Sequence, residues 1–275
     1  MNRLQAYAQQ WIHKDNDKAY RLFDTTVRIS QQLGYNPGIA LGYRRMSYVH
    51  GQLGRYRQSI HYLLAALEYY EKSKAPLKEF LTCYNNLGVN YGQLGMADST
   101  MFYYMLGINK AENRSTAGET ENDRQGTMAA YCHLLQNVAQ MNAHHGNIPK
   151  AKEYAQKAIA TARENKDSVQ LTLSLVGMGN VLYNNKEYDQ SISYARQGIA
   201  AGIHDNRPIP MGKAWHLLST NYTALAMPDS GMYAAQQAIA YSRHSDLQIY
   251  LVALMDLSDA YHNKKTMLQR PAPWK

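Results

Sequence analysis

Apolar residues recur along most of the chain at the three- and four-residue spacing of an amphipathic helix. One series contains Tyr84, Leu87 and Tyr91, and a series after a later turn contains the small residues Ala151 and Ala158. Because residues at this spacing share one helix face, each series predicts a helix with a single buried stripe. The pattern therefore predicts helix, turn, helix, with small residues where the two backbones cross closely.

This pattern repeats with a period of roughly 40 residues, which is typical of stacked structural repeats. The tetrapeptide Gly-Gln-Leu-Gly covers positions 51–54 and recurs at positions 92–95. Four residues take the place of its last glycine in the later units: Gly146, Lys186, Ala226 and Lys265. Only the step from Gly95 to Gly146 is clearly longer than the others. A spacing kept over most of the chain therefore predicts a repeat architecture.

Two of the predicted first helices resemble the tetratricopeptide repeat, whose first helix reads W-x-x-L-G-x-x-Y. Residues 84–91 read YNNLGVNY, and residues 215–222 read WHLLSTNY. The resemblance covers roughly residues 17–265 and implies an all-α fold class, a right-handed α-solenoid of antiparallel helix pairs with a tetratricopeptide-like superhelix. The period is longer than the roughly 34 residues of the common repeat and resembles the long-period arrays of bacterial signalling regulators and kinesin light chains.

The repeat divides the chain into three predicted segments. Residues 1–39 form a partial N-terminal helical hairpin, with helices at Asn2 to His13 and Asp17 to Leu33. Residues 40–265 form the array, about five and a half repeats with a polar insertion at 113–126 that we expect to be a mobile loop. Residues 266–275 form a non-repeat tail, where two prolines oppose a helix of useful length. We expect a fragment or a frameshifted end of a longer protein, because the sixth unit stops after its first helix.

Composition narrows the environment of the chain. No apolar run approaches the roughly eighteen residues that a membrane helix needs. The N-terminus lacks the apolar core of a signal peptide. The sequence as written therefore predicts a cytoplasmic protein, or a periplasmic one if it belongs to a membrane sensor. The 23 tyrosines against 3 phenylalanines suit half-buried helices, because a tyrosine buries its ring while its hydroxyl reaches water.

The net charge of +8 raises the alternative of a helical-repeat protein that binds nucleic acid. That function would require lysines or arginines repeated along one face. The closest basic clusters are Arg44 with Arg45 and Lys264 with Lys265, so a solvated basic surface explains the charge more simply.

Nothing in the sequence carries catalytic chemistry. The ten histidines are scattered, and adjacent His144 and His145 point about 100° apart on a helix, which is unsuited to one metal ion. Cys83 and Cys132 fall in apolar stripes, where buried and inert thiols are expected. We predict no catalytic residue, no cofactor and no metal ligand. Residues 177–180, Gly-Met-Gly-Asn, belong to a helix rather than a phosphate loop.

The fold that the resemblance implies places residues of each first helix along a concave groove. The predicted groove residues are mostly amides and hydroxyls: Arg44, Tyr48, Gln52, Asn85, Val89, Gln93, Gln136, Gln140, His144, Asn180, Tyr183, Asn184, His216, Thr220 and Thr223. Amide side chains donate and accept hydrogen bonds together, which suits an extended peptide or an amphipathic helix. The predicted partner is therefore a protein or peptide, with no small-molecule substrate, and the uncapped last helix favours self-association.

Overall fold

The computed structural model describes residues 2–12, 14–115 and 117–269. This part of the chain contains thirteen α-helices and no strand: α1 (Asn2–Gln9), α2 (Asn16–Gln32), α3 (Asn36–Gln52), α4 (Tyr56–Lys72), α5 (Leu77–Gln93), α6 (Ala97–Glu112), α7 (Glu121–His144), α8 (Ile148–Glu164), α9 (Ser168–Asn184), α10 (Tyr188–Gly202), α11 (Pro208–Ala224), α12 (Pro228–Ser242) and α13 (Leu247–Gln269). The predicted all-α fold of antiparallel helix pairs is confirmed. The odd-numbered helices from α3 onward are called helix A below, and the even-numbered ones helix B.

The helices fall into two compact units, Met1–Leu134 and Leu135–Lys275. In the first unit, consecutive helices from α1 to α6 pack on each other in chain order. In the second unit, the same holds from α8 to α13, and helix A also contacts the next helix A, α9 with α11 and α11 with α13. From α2 to α5 and from α9 to α12, each helix therefore packs on the helices before and after it.

Five of the six predicted turns are confirmed by the backbone. Each has a residue with positive φ where the repeat places it, and the values span 53° to 76°: Gly54, Gly95, Gly146, Lys186 and Ala226. At these turns the next amide returns to the helix that has just ended, for instance Glu187 N to Leu182 O at 2.9 Å. Glycine adopts this left-handed conformation freely, whereas lysine and alanine pay about 1 kcal/mol or more for it.

The sixth predicted turn, at Lys265, is wrong. Helix α13 continues without a break from Leu247 to Gln269, so the first four residues of the predicted tail 266–275 are helical. A left-handed lysine is tolerated at Lys186, where α10 folds back and packs on α9. No second helix packs back in this way within the described residues after Lys265, so nothing offsets the strain. The rest of the predicted tail, 270–275, lies outside the described residues.

The prediction of a mobile loop over 113–126 is wrong in its second half, because α7 begins at Glu121. The start of α7 is capped reciprocally: the amide of Asp123 donates to Thr120 Oγ1 at 3.1 Å, and the Thr120 hydroxyl donates to Asp123 Oδ2 at 2.7 Å. Lys78 of α5 also forms an ion pair with Asp123 at 2.9 Å. A polar sequence therefore starts this helix through its cap rather than through apolar burial.

The N-terminal segment differs slightly from its prediction. Helix α1 ends at Gln9 rather than at His13, which lies outside the described residues, and α2 agrees with the predicted helix to within one residue at each end. The predicted boundary between residues 39 and 40 falls within α3. The division into 1–39, 40–265 and 266–275 thus stays a prediction.

Small residues allow helix A and helix B of one pair to cross closely. A Cβ atom added at Gly88 would lie 2.2 Å from Cε1 of Tyr104, so only glycine fits at this crossing. In the second unit, the Ser191 hydroxyl donates to the carbonyl oxygen of Gly179 at 2.8 Å. At these crossing points helix A has a glycine, and a side chain of helix B therefore lies directly against the helix A backbone.

Tyrosine rings fill the space beside these crossings, and in the first unit they enclose a histidine. The His50 ring stacks on Tyr62 with centroids 5.3 Å apart and meets the edge of Tyr20 at 5.2 Å. The hydroxyls of Tyr20 and Tyr62 are hydrogen-bonded at 3.0 Å. Both ring nitrogens of His50 are buried without a hydrogen-bond partner among the described residues. Burial lowers the pKa of His50 below 6.5, and the positive charge of Arg55 lowers it further.

Replacing Gly88 with alanine should destabilise the fold. The added methyl group would overlap the Tyr104 ring, and such overpacking costs about 1 to 3 kcal/mol. Gly92→Ala in the same helix is the matched control. There the nearest atom lies 3.5 Å from the added Cβ, so Gly92→Ala should stabilise α5 by about 0.5 to 1 kcal/mol. Urea unfolding followed by circular dichroism measures both, and equal effects of the two variants would contradict this account of the crossing.

Replacing His50 with phenylalanine should reduce the pH dependence of stability. Since the folded pKa of His50 lies below its unfolded value, the unfolded chain binds the proton first as the pH falls below about 6.5. Wild-type stability should therefore drop between pH 7 and pH 5, and His50→Phe should flatten that slope. His61→Phe, on the exposed side of α4, serves as the control and should keep the wild-type slope. Melting temperatures across this range test the prediction, which fails if His50→Phe and His61→Phe behave alike.

Candidate functional site

The candidate site is the solvent-facing side of the helix A segments, described for each unit separately. In the first unit, the predicted residues of α3 and of α5 follow each other at intervals of four, so each set shares one helix face. Tyr48 and Val89 occupy the middle position and are 40% and 41% exposed. Gln52 and Gln93 occupy the last position and are exposed. These four side chains form a surface of amide, aromatic and aliphatic groups without charge.

Arg44, at the first position of α3, is engaged inside the first unit. Its Nε donates to the Tyr70 hydroxyl at 3.0 Å, and its Nη2 lies 3.2 Å from Glu79 Oε2. The Tyr70 hydroxyl in turn donates to Glu79 Oε2 at 3.2 Å. Burial opposes the charge of Arg44, yet Tyr70 and Glu79 together raise the pKa of this guanidinium. Arg44 thus links α3 to α4 and α5, and it is the only lysine or arginine among the predicted groove residues.

Asn85, at the first position of α5, is half-buried rather than exposed. Its Nδ2 lies 3.5 Å from Oδ1 of its neighbour Asn86. Beside it, Cys83 is fully buried, and burial raises the pKa of that thiol to about 12. Both cysteines of the chain are buried thiols, as predicted.

In the second unit, the first position of helix A again contacts the next helix A. Gln136 Nε2 of α7 donates to Ser174 Oγ of α9 at 2.9 Å. His216 Nδ1 of α11 lies 2.9 Å from Asp256 Oδ2 of α13. The Thr220 hydroxyl, one turn later, lies 3.3 Å from the same carboxylate oxygen and 2.9 Å from the carbonyl oxygen of His216. These polar contacts tie successive helices together, which leaves their side chains less available to a partner.

The remaining predicted residues of α7 and α9 face solvent. Gln140, His144, Asn180 and Asn184 are all exposed, and Gln140 Nε2 lies 3.5 Å from His144 Nε2. The exposed helix A surface of the second unit is therefore a set of three amides and an imidazole. Amides both donate and accept hydrogen bonds, and recognition of a polypeptide backbone by this surface stays a prediction.

Tyr183 and Thr223, which follow Asn180 and Thr220 by three residues, are not on the exposed side of their helices. The Tyr183 ring packs against Tyr188 of α10, with centroids 5.5 Å apart. The Thr223 hydroxyl is buried and lies 3.4 Å from the position that a Cβ on Gly231 would take. Both side chains therefore pack towards helix B. The sequence did not identify the acidic and hydroxyl partners Glu79, Ser174 and Asp256, because each comes from the following repeat.

The described residues hold no group of three histidine, cysteine, aspartate or glutamate side chains that could bind a metal ion. None of the described helices is both long enough and apolar enough to cross a membrane. Residues 177–180 lie within α9, as predicted, so their glycines form no phosphate loop.

Comparison with known proteins gives the same fold. Residues 43–73, which comprise most of α3 and all of α4, match the family model of the tetratricopeptide repeat. No curated protein matches the sequence. BtubC from P. vanneervenii is 15% identical over 95% of this chain and 96% of that one, with a TM-score of 0.60. The apo form of RapI is 11% identical over 96% and 98%, with a TM-score of 0.60.

A Rap protein complexed with competence and sporulation factor is 13% identical over 90% of this chain and 73% of that one, with a TM-score of 0.61. At these identities the similarity shows the fold alone. The matched repeat at 43–73, the recurring left-handed turns and the shared fold agree with one another. The chain therefore contains a segment that matches the tetratricopeptide repeat and shares its helical-repeat fold with these solved structures.

Proposed function

We propose that the protein is a non-catalytic interaction module that binds a peptide or a helix on the exposed side of its helix A segments. The observation that supports this most directly is the uncharged character of the exposed positions, Tyr48, Gln52, Val89 and Gln93 in the first unit. Aromatic and amide side chains are the groups that bind polypeptide with little desolvation cost. The second unit offers Gln140, Asn180 and Asn184 in the same positions.

We also propose that the module regulates a bacterial signalling protein and that it carries out no reaction itself. Proteins of this fold include the Rap protein solved with competence and sporulation factor, and a tetratricopeptide-repeat sensor in a STAND protein from Pyrococcus horikoshii. The latter is 14% identical over 94% of this chain and 41% of that one, so it supports only the suitability of the fold.

The nucleic-acid alternative lacks a supporting contact. Arg44, the one lysine or arginine among the predicted groove residues, is paired with Glu79. Binding that depends on phosphate contacts weakens steeply with salt, and a partner bound through Val89 and its neighbours should be far less sensitive. Measuring the salt dependence of the affinity therefore distinguishes the two functions once a partner is in hand.

A charge placed on the helix A surface should weaken partner binding without affecting the fold. Val89→Lys puts an ammonium at an exposed position of α5, and the matched control Leu64→Lys does the same on α4, where the leucine is 43% exposed. Partners can be trapped by a photo-crosslinking residue at Gln93 and then purified. We expect Val89→Lys to weaken their binding about 10- to 100-fold and Leu64→Lys to leave it unchanged. Equal losses in both variants, with unchanged melting temperatures, would show that helix A is not the binding surface.

The last helix offers a second contact surface, and we propose that it mediates self-association. Three side chains spaced along α13 are strongly exposed for apolar groups: Leu247 at 69%, Leu251 at 51% and Met255 at 65%. Such a stripe is the part of a helix that normally packs on a neighbour.

Leu251→Lys should reduce self-association, because it places a charge in the middle of the exposed stripe. The surface variant Gln248→Lys, at an exposed polar position of the same helix, adds the same charge as a control. Sedimentation velocity over a range of concentrations measures the effect. Association that persists in Leu251→Lys, or its absence in the wild-type protein, would exclude this role for α13.

A further inference from the structure

A tyrosine recurs at the seventh residue of helix B in four consecutive repeats. The spacing of these tyrosines is the same as that of the turns: Tyr62 in α4, Tyr103 in α6, Tyr154 in α8 and Tyr194 in α10. All four are half-buried. The four tyrosines therefore hold the same position on helix B in each repeat.

The ring at this position fills a notch formed with helix A. Tyr62 stacks on Tyr43 and His50 of α3, with centroids 5.9 Å and 5.3 Å apart. Tyr103 stacks in the same way between two residues of α5, Tyr84 at 6.5 Å and Tyr91 at 5.4 Å. In both repeats the two helix A rings are seven residues apart. They therefore lie on the same face of helix A, two helical turns from each other, and form the two walls of the notch. The helix B tyrosine is the ring between them.

The fifth repeat has the two helix A rings but no tyrosine at the seventh residue of helix B. Its nearest helix B ring is that of the preceding residue, Tyr233, which meets Trp215 edge-on with centroids 5.8 Å apart. Trp215 and Tyr222 of α11 are seven residues apart and correspond to Tyr84 and Tyr91, but the seventh residue of α12 is Ala234, which is fully buried. An open pocket of about 520 Å³ lies between α10, α11 and α12. Its walls include Arg196, Ile199, Trp215, Leu218, Tyr222 and Tyr233, and we call it the Trp215 notch.

The Trp215 notch has a cation at its edge. Arg196 Nη2 donates to the Tyr222 hydroxyl at 2.7 Å, and no carboxylate forms an ion pair with Arg196 in the described part of the chain. Asp229 also lines the notch, and its carboxylate is paired with Lys264 of α13 at 2.8 Å. An exposed guanidinium held by one neutral hydrogen bond keeps donors free for a carboxylate.

We propose that the Trp215 notch binds an aromatic side chain of a partner polypeptide that carries a carboxylate next to that ring. The guest ring packs against Trp215 and Tyr222, much as Tyr62 and Tyr103 pack between two helix A rings, and the neighbouring carboxylate pairs with Arg196. The notch is open, with Tyr233 57% exposed at its edge, which suits a side chain presented by a polypeptide rather than an enclosed small molecule. This site lies beside helix B and is independent of the proposed helix A surface.

The test uses the full chain and the capped dipeptide N-acetyl-Tyr-Glu-amide. The indole N–H signal of Trp215 in a nitrogen–proton NMR spectrum reports on the notch, with its assignment made from Trp215→Phe. We expect millimolar dipeptide to shift this signal and to leave the Trp11 indole unchanged. N-acetyl-Ala-Glu-amide, which lacks the ring, should cause no shift. N-acetyl-Tyr-Gln-amide, which lacks the charge, should bind about tenfold more weakly.

Two variants and a matched control locate the site. Ala234→Tyr supplies the ring from within the chain and should abolish the shift, whereas Ala240→Tyr adds the same ring at an exposed position of α12 and should retain it. Arg196→Gln should weaken the Tyr-Glu dipeptide about tenfold and have little effect on the Tyr-Gln dipeptide. The proposal is overturned if the Trp215 indole does not move, or if Ala-Glu shifts it as much as Tyr-Glu does, whatever the stability of Ala234→Tyr. It is also overturned if a folded Ala234→Tyr binds like the wild type.

Discussion

The close crossing of helix A and helix B is the constraint on which the rest of the structure depends. At Gly88 there is no room for even one methyl group beside Tyr104, and at Gly179 the Ser191 hydroxyl bonds directly to the backbone. A pair of helices this close buries its apolar stripes efficiently but leaves the outer faces of both helices open. The next helix pair must cover those faces. A single closely crossed pair is therefore not stable alone, and the pairs stack into an array.

Most of the helix pairs and their turns were predictable from the sequence, because the close crossing depends on nearby residues and recurs in every repeat. The regular spacing of the repeats located five left-handed turns, including Lys186 and Ala226, whose residue types alone do not indicate a turn. The same reasoning failed at Lys265, because a turn in that position is stabilised by the helix that folds back after it. It also failed at residues 121–126, where the reciprocal cap of Thr120 and Asp123 starts a helix in a stretch with little to bury. The repeat period predicts only the packing that recurs in every repeat. It gives no information about contacts that occur once, such as the cap formed by Thr120 and Asp123.

For the candidate site, the sequence predicted which residues share a helix A face but not which of them contact the next repeat. Counting by four identified the exposed positions Val89 and Asn180, but it also included Arg44, Gln136 and His216, whose partners lie on the following repeat. A sequence pattern within one helix cannot show that Glu79 or Asp256 approaches from the next. The structure therefore separates helix A residues into two roles. The first position of α3, α7 and α11 holds neighbouring helices together, and the exposed later positions of α3, α5, α7 and α9 face solvent.

The tyrosines show how an array of near-identical pairs acquires a specific site. In the first two repeats the helix B tyrosine stacks between two helix A rings, so the notch beside each crossing is closed by the chain itself. Filling that notch gains packing, and leaving it empty costs the contacts of one ring. In the fifth repeat the corresponding helix B residue, Ala234, has no ring, whereas the helix A rings Trp215 and Tyr222 are both present. A repeat can thus acquire a pocket by a change of side chain at one helix B position, with the turn, the crossing and the buried stripes left as they are.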